Sequence, residues 1–172
     1  AVWCGLTRGK VAPMIHRHHW PAEACQFHDQ ISRVVFAREA REPGLAVSNV
    51  GGWHSTPDLL LWEEDGVADL IDRIATVADD IGAGGMRMQA WANVMRAGNH
   101  HLAHRHGEAV WSGVYYVEAG DANSGGEITF ARGREVERVA PRPGLLLLFP
   151  GELLHSVATY KGSTPRISVA FN

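Results

Sequence analysis

The feature that most constrains the fold of this 172-residue chain is a change of character after Gly85. Beyond that point, short runs with strand-like composition are separated by glycine and proline, and no helical segment interrupts them. The runs cover residues 86–95, 110–117, 127–130, 135–139, 144–149, 156–159 and 166–171. The βαβ rhythm of a parallel sheet is missing, so this half of the chain predicts an antiparallel sandwich or barrel.

Two helices are predicted ahead of these strands. The first occupies residues 22–42, between Pro21 at its start and the Pro43-Gly44 pair that stops it. The second occupies residues 65–81, where apolar side chains recur every three or four positions. Two helices followed by about seven strands predict a mainly β fold with flanking helices (α+β) and a jelly-roll or cupin-like core.

The length of the chain and the lack of an internal repeat or linker favour a single domain over residues 1–172. Within it, we expect residues 1–85 to form a helical part with a lid, packed on a β core of residues 86–172. Exposed edges of a jelly roll often pair between copies. A homodimer is therefore compatible with the sequence, although no motif fixes the oligomeric state.

The composition argues against several classes of protein. A formal net charge of −3 and the absence of any Lys/Arg run argue against a nucleic-acid partner. The longest apolar run, residues 145–149, is far too short to cross a bilayer, so no membrane association is expected. Cys4 and Cys25 make no disulfide framework, and free thiols fit a reducing, cytoplasmic location best.

Histidines concentrate in the stretch WANVMRAGNHHLAHRHGEAVWSGVYYV (91–117), which holds four of the ten in the chain. Alternate side chains of a strand point to the same side, so His104 and His106 can direct two imidazoles to one point. His155, in LLLLFPGELLHSV, would add a third imidazole from a later antiparallel strand. Three imidazoles with an open position suit zinc, iron or copper equally, and we predict a metal site.

The same stretch contains an alternative set of ligands. Glu108 alternates with His106, so His106, Glu108 and His155 would make the two-histidine, one-carboxylate triad of non-haem iron oxygenases. Local spacing does not separate this triad from a set of three histidines. Both sets remain open on the residues alone.

A candidate anion site follows His155 by eleven positions, in the terminal segment PRISVAFN. Arg166 and Ser168 alternate onto one side of this apolar run, and an arginine is almost never fully buried unless it is paired. The guanidinium suits a carboxylate bidentately, and the serine hydroxyl adds a donor. We therefore predict that the two residues bind a carboxylate close to the metal.

These residues resemble the pattern of the iron(II)- and 2-oxoglutarate-dependent oxygenases, which share a double-stranded β-helix core. More narrowly, the sequence is similar to a bacterial group of oxygenases in that superfamily, and the resemblance covers about residues 45–172. Five motifs in the same order carry it: GGWHS (51–55), H-x-H (104–106), SGVYYV (112–117), FP…L-x-H-x-V (149–157) and RISVAFN (166–172).

The resemblance implies specific roles for the candidate residues. It implies Fe(II) at His104, His106 and His155, and the C5 carboxylate of 2-oxoglutarate at Arg166 and Ser168. It further implies help from the hydroxyl of Tyr116, which shares the parity of the H-x-H pair. Asn93 is a candidate to bind cosubstrate or substrate, against the competing interpretation of a satisfied core asparagine. A histidine stands where the wider superfamily has an acid, which leaves the site one negative charge short and should raise the iron potential.

The GGWHS segment lies outside the predicted strands and has two interpretations. In one, Trp53 and His54 bind substrate as part of a lid to which the glycines give mobility. In the other, the glycines form a turn and Trp53 covers the core. The sequence supports both about equally.

The resemblance implies an oxidoreductase, a 2-oxoglutarate-dependent non-haem iron dioxygenase. It would hydroxylate or otherwise oxidise a C–H bond of a small molecule and release succinate and CO2. Two alternatives are a three-histidine, cupin-type iron oxygenase that does not use 2-oxoglutarate, and a non-catalytic metal-binding cupin. The sequence does not name the substrate, and a peptide or protein side chain is an alternative to a small molecule.

Overall fold

The computed structural model describes residues 14–85 and 87–172; Cys4 and one residue of the first predicted strand run lie outside this part. Its α-helices are α1 (His28–Glu39) and α2 (Val67–Asp80), with short 3-10 turns at Ala22–Ala24 and Leu59–Leu61. Its strands are β1 (His16–His19), β2 (Asn49–Val50), β3 (Trp53–His54), β4 (Ala90–Met95), β5 (His100–His104), β6 (Trp111–Glu118), β7 (Ile128–Arg132), β8 (Glu135–Val139), β9 (Leu145–Pro150), β10 (Leu154–Val157) and β11 (Arg166–Phe171).

The strands form two sheets. The first has the order β1-β9-β6-β11-β4-β3, and the second has the order β2-β5-β10-β7-β8. Each pairing between neighbours in these sheets is antiparallel. The predicted mainly β fold with flanking helices is confirmed.

The part of the chain ahead of residue 86 contributes more strand than the sequence indicated. β1 pairs with β9, β2 with β5 and β3 with β4, so three short strands extend both sheets. Gly51 and Gly52 have φ angles of 67° and 71° and form the corner between β2 and β3. Glycine adopts this left-handed conformation without a steric penalty, which allows the chain to pass from one sheet to the other within two residues.

The first helix is shorter than predicted. The chain after Pro21 makes a 3-10 turn, and α1 begins only at His28. This segment is tied to the sheet, because the Trp20 N–H donates to the Gly144 carbonyl at 3.0 Å and Cys25 is buried as a free thiol. The second helix agrees with its prediction to within two residues at either end.

Two apolar cores lie on either side of the six-stranded sheet. On its outer face, the helices bury Ile31, Val35, Leu70 and Ile74 against strand residues that include Val94, Tyr115 and Val169. Between the sheets, Val114, Tyr116, Leu147 and Phe149 meet Ile128 and Phe130. Each fully buried aliphatic side chain stabilises the fold by about 1.5–3 kcal/mol. Successive side chains of β6 point to opposite faces of the sheet, so Tyr115 packs against the helices and Tyr116 lies between the sheets.

In the part of the chain that the structure describes, neither helix has the length and apolar character that a membrane crossing requires.

Candidate active site

Three imidazoles converge at one end of the space between the sheets. His104 is the last residue of β5 and lies opposite His155 of β10 in the antiparallel register. The ring centroid of His155 is 4.3 Å from that of His104 and 5.2 Å from that of His106, and the remaining pair is 5.0 Å apart. One nitrogen from each ring lies within 4.8 Å of the others, close enough for a single metal ion to bind all three.

The route by which His106 reaches this point differs from the prediction. β5 ends at His104, so the two histidines do not lie on one strand. The His106 N–H instead donates to the Gly151 carbonyl at 2.8 Å, which fixes the backbone beside the turn that precedes β10. The H-x-H pair therefore meets through a strand end and an anchored loop, because strand pairing stops at His104, two residues before His106.

β5 also contains a β-bulge. His155 pairs with His104 and Val157 with His101, so two steps along β10 correspond to three steps along β5. The extra residue reverses the alternation, and as a result His101 and His104 both face the cavity while Leu102 is exposed. Bulges are enriched next to active sites because they redirect a side chain in this way.

Backbone carbonyls orient two of the three rings. The Nδ1 atom of His104 lies 2.8 Å from the Leu102 carbonyl, and that of His155 lies 2.8 Å from the Leu153 carbonyl. Because a carbonyl only accepts, each Nδ1 carries the proton and each Nε2 keeps a free lone pair. This is the tautomer that a metal ligand requires.

A side chain holds the third ring. His106 Nδ1 lies 3.2 Å from the Asn172 amide, and the Ser112 hydroxyl lies 2.7 Å from the other end of that amide. The backbone of Asn172 exchanges two hydrogen bonds of 2.9 Å with Gln89, which fixes the position of the amide. Rotation of the Asn172 carboxamide by 180° brings its oxygen to His106 Nδ1, so that an N–H at this position donates to it. The amide nitrogen of Asn172 then donates to the Ser112 hydroxyl.

Burial keeps the imidazoles of His106 and His155 neutral. Burial lowers the pKa of both His106 and His155 to about 4. Electrostatic repulsion from nearby His104 also lowers the pKa of both residues. Neutral imidazole is the form that binds a metal, so the site is ready for one at neutral pH. Glu108, the alternative ligand, is exposed and does not belong to the group of converging donors.

Arg166 lines the same cavity, which has a volume of about 80 Å³. Its side chain is 2% exposed, with the guanidinium 5.0 Å from the centre of the Tyr116 ring and Nη1 2.9 Å from the Met95 sulfur. Among residues 14–85 and 87–172, no carboxylate pairs with this guanidinium. Burial accordingly lowers the pKa of Arg166, and it raises the pKa of the Tyr116 phenol.

Several polar atoms around the cavity have no partner in the described structure. They are Nε of Arg166, the hydroxyl of Tyr116 and Oδ1 of Asn93, all buried. A buried polar atom without a hydrogen bond costs about 1–3 kcal/mol, and more when the group is charged. Two of the three atoms are donors, and Ser168, which is also buried in the wall, adds a third.

In the GGWHS segment, Trp53 belongs to the apolar core and His54 lines the cavity. Trp53 is buried in the outer core, and its Nε1 donates to the Glu42 carbonyl at 2.9 Å, so it covers the core. His54 lines the cavity and stacks on Trp91 with ring centroids 5.4 Å apart and planes at 14°. Trp91 in turn lies 6.0 Å from His106.

Comparison with known families adds the deciding observation. Residues 89–172 match the model of the family described as "Putative 2OG-Fe(II) oxygenase", where 2OG is 2-oxoglutarate. These residues belong to the 2OG-Fe(II) oxygenases. The match spans β4 to β11, which carry the three converging histidines and Arg166. No curated protein matches the sequence.

Solved structures with the same fold come from distant oxygenases. A prolyl-4-hydroxylase of Pseudomonas putida has a TM-score of 0.67 at 16% identity, over 93% of this chain and 91% of that one. The viral collagen prolyl hydroxylase vCPH of Paramecium Bursaria Chlorella virus-1, solved with 2OG, has a TM-score of 0.62 at 13% identity over 91% and 93%. The carbocyclase SnoK of nogalamycin biosynthesis has a TM-score of 0.69 at 12% identity over 91% and 78%. These neighbours show that the oxygenase has the double-stranded β-helix fold.

The family implies Fe(II) and 2-oxoglutarate, and the residues of this oxygenase fit both groups. Three converging imidazoles, two of which hydrogen-bond a backbone carbonyl through Nδ1 and so keep the Nε2 lone pair, suit Fe(II). In the same cavity, a buried guanidinium that no carboxylate of the described residues pairs lies beside the Tyr116 phenol, and this arrangement suits a carboxylate ligand. A dicarboxylate that carries a 2-oxo acid at one end matches this pair of subsites.

Sequence reasoning missed four residues of this site. His101, Ser48, Trp91 and Asn172 all line the cavity or contact a converging histidine. The HH pair at 100–101 was a visible signal, but regular strand alternation would place His101 on the opposite side from His104. Only the bulge in β5 reverses that assignment.

We expect Asn172→Ala to weaken metal binding by about 10- to 100-fold, because loss of an orienting partner lets the His106 ring take the wrong tautomer. Asn172→Asp should restore binding, since a carboxylate accepts from Nδ1. Zinc affinity and the nitrogen chemical shifts of His106 in the metal-free protein measure the two effects. A metal affinity unchanged in Asn172→Ala would show that His106 needs no partner.

Proposed function

We propose that this 2OG-Fe(II) oxygenase holds Fe(II) with His104, His106 and His155 and binds the far carboxylate of 2-oxoglutarate with Arg166. Ser168 and the Tyr116 hydroxyl assist at that carboxylate. When bound, the metal and 2-oxoglutarate supply the oxidising power for reaction at a C–H bond. The residues of the chain supply binding, orientation and exclusion of water.

The observation that best supports this proposal is the state of Arg166. A guanidinium that is 2% exposed, with no acidic partner among the described residues, lies in one cavity with three converging imidazoles. Burial of a charge without compensation is costly, and a bound ligand of opposite charge would offset that cost. A carboxylate bound bidentately by the guanidinium would do so.

The surroundings of the imidazoles keep the metal site dry and rigid. The ring of His155 packs against Phe149, with centroids 4.8 Å apart, and lies 6.2 Å from Phe130. These aromatic side chains exclude water from one side of the cluster and restrict the rotation of His155. Such restriction lowers the cost of forming the site, because less conformational freedom is lost when the metal binds.

Asn93 differs from the carboxylate-binding residues in its chemistry. Its unpartnered atom is an oxygen, which accepts a hydrogen bond, whereas 2-oxoglutarate offers acceptors only. We therefore assign the Asn93 oxygen to a hydroxyl or N–H donor on the substrate, or to an ordered water.

We propose a small molecule with polar or aromatic character as the substrate. The stacked His54 and Trp91 offer a flat wall beside His106, and such a surface suits a planar ligand. Succinate release from a filtered low-molecular-weight cell extract measures this. If only the retained macromolecules stimulate release, the substrate is a peptide or protein.

Organisation and location complete the proposal. We infer that residues 1–85 and 86–172 work as one domain, since β1, β2 and β3 pair with strands of the later segment. Cys25 is a buried free thiol, which supports a reducing, cytoplasmic compartment. Among the described residues, β1 and β3 are the edge strands of the first sheet, and β2 and β8 are those of the second. Edge strands can pair between copies, so we propose a homodimer, to be tested by its mass in solution.

The direct test is anaerobic loading with Fe(II), followed by 2-oxoglutarate, and a search for the weak visible charge-transfer band of the chelate. We expect the band in the wild type and in Glu108→Ala, and its loss in His106→Ala. Loss of the band in Glu108→Ala instead would move the ligand set to His106, Glu108 and His155. A wild type that binds iron but shows no band would favour the cupin-type oxygenase that does not use 2-oxoglutarate.

A further inference from the structure

A fourth imidazole occupies the cavity beside the three that converge. The β5 bulge turns His101 inward, where it lines the cavity together with Arg166, His104 and His155. Burial lowers its pKa to about 3, and among nearby charges Arg166 contributes most to this effect, ahead of His104. His101 is therefore a neutral imidazole in the cavity that the three converging histidines share with Arg166.

Ser48 decides which nitrogen of His101 carries the proton. Its hydroxyl lies 3.2 Å from His101 Nδ1 and 3.4 Å from His104 Nε2, so one O–H faces two possible acceptors. A metal at His104 would use the Nε2 lone pair and leave His101 Nδ1 as the remaining acceptor. His101 then carries its proton on Nε2, which has no hydrogen-bond partner within the described part of the chain.

We propose that His101 is a cosubstrate-binding residue, whose Nε2–H donates to the carboxylate held by Arg166 and whose tautomer is fixed by Ser48. This inference rests on the proposed function, because it assumes 2-oxoglutarate in the cavity. It also gives binding an order. Metal at His104 releases Ser48 to His101, so the donor for the cosubstrate is in place only after the metal is bound.

The alternative is a structural role, in which His101 merely fills the space under β2. Asn49 of β2 pairs with His101 in register, so the backbone of this residue belongs to the sheet in either case. The two roles differ in what a neutral replacement does. A structural histidine is replaced by an apolar residue of similar size without effect on ligand affinity, whereas a donor is not.

The experiment measures binding of 2-oxoglutarate and of oxalate to the Co(II)-loaded protein without oxygen. Oxalate chelates a metal but has no far carboxylate, so it reports on the metal end of the cavity alone. We expect His101→Leu to raise the Kd for 2-oxoglutarate about tenfold or more, since hydrogen bonds to charged groups are the stronger kind. The Kd for oxalate should stay within about twofold.

Matched variants separate the donor role from a loss of fold. His100→Leu changes the neighbouring residue of the same strand, which does not line the cavity, and should bind 2-oxoglutarate as the wild type does. Ser48→Ala should weaken 2-oxoglutarate binding in the same direction as His101→Leu, and His101→Gln, which keeps an N–H donor, should restore part of the affinity.

The outcomes are distinguishable. An unchanged Kd for 2-oxoglutarate in His101→Leu overturns the inference, and so does an equal loss of oxalate affinity, which would place the residue at the metal end. If the wild type binds Co(II) and oxalate but not 2-oxoglutarate, the proposed function fails instead. Should His101→Leu not fold, an unchanged Kd in Ser48→Ala would overturn the tautomer argument on its own.

Discussion

Arg166→Met should raise the Kd for 2-oxoglutarate about a hundredfold or more and leave the metal content unchanged. The magnitude follows from burial: loss of one partner of a buried, hydrogen-bonded charge pair costs about 2–5 kcal/mol. In this oxygenase the cosubstrate carboxylate would be the other partner, since no acidic side chain of the described residues pairs with Arg166. Methionine keeps the length of the side chain and removes only the fork of donors.

The same substitution should not destabilise the metal-free protein. Arg166 is 2% exposed, and its guanidinium has a thioether and an aromatic face as neighbours. Burial of this charge therefore lowers the free energy of unfolding of the metal-free protein. We expect the free energy of unfolding of Arg166→Met to equal or exceed that of the wild type. In turn, 2-oxoglutarate should raise the melting temperature of the metal-loaded wild type but not of the variant.

Arg105→Met is the matched control for this prediction. Arg105 lies between two candidate metal ligands but is exposed, so its loss should change neither cosubstrate affinity nor stability. Calorimetric titration of the zinc-loaded proteins measures the affinities, and thermal melts with and without ligand measure the stabilities. Unchanged affinity in Arg166→Met would refute the carboxylate assignment, and simultaneous loss of metal would mean that Arg166 acts through the fold.

How far the sequence predicts this fold depends on which elements follow simple periodicity. The predicted limits of β8 and β11 agree with the structure, and those of α2 lie within two residues of it. Helix α2 and strand β11 have a clear apolar pattern, and a glycine or proline lies within two residues of at least one end of all three elements. By contrast, β1, β2 and β3 are two to four residues long and exist because other strands pair with them. Pairing of this kind is tertiary and leaves no periodic signal.

The site shows the same division. Alternation places Arg166 and Ser168 on one side of β11, and both line the cavity as that argument requires. Alternation fails in β5, where the bulge brings His101 inward and the strand ends before His106. A bulge depends on the register with β10, a segment about fifty residues later, so local sequence does not reveal it. Asn172 is missed for a related reason, because its contact with His106 is formed only when β4 and β11 pair.

His155→Leu should abolish metal binding, with a loss in affinity larger than the about 10- to 100-fold that removal of an orienting partner costs. His155 is the candidate ligand that belongs to the later strand β10, and it is buried at 5% exposure among aromatic rings. Leucine has a similar volume and packs against Phe149 and Phe130, so the fold should survive. Zinc should therefore raise the melting temperature of the wild type and leave that of the variant unchanged.

Two measurements make the interpretation of His155→Leu specific. His18→Leu removes an exposed histidine of β1 outside the cluster, and it should bind zinc with the affinity of the wild type. Circular dichroism of the metal-free variants then checks that the sheets are intact. Stoichiometric zinc in a folded His155→Leu protein would mean that the metal is held without β10. In that case the ligands would come from the β5 end alone, and the cavity that contains Arg166 would no longer be the place where metal and cosubstrate meet.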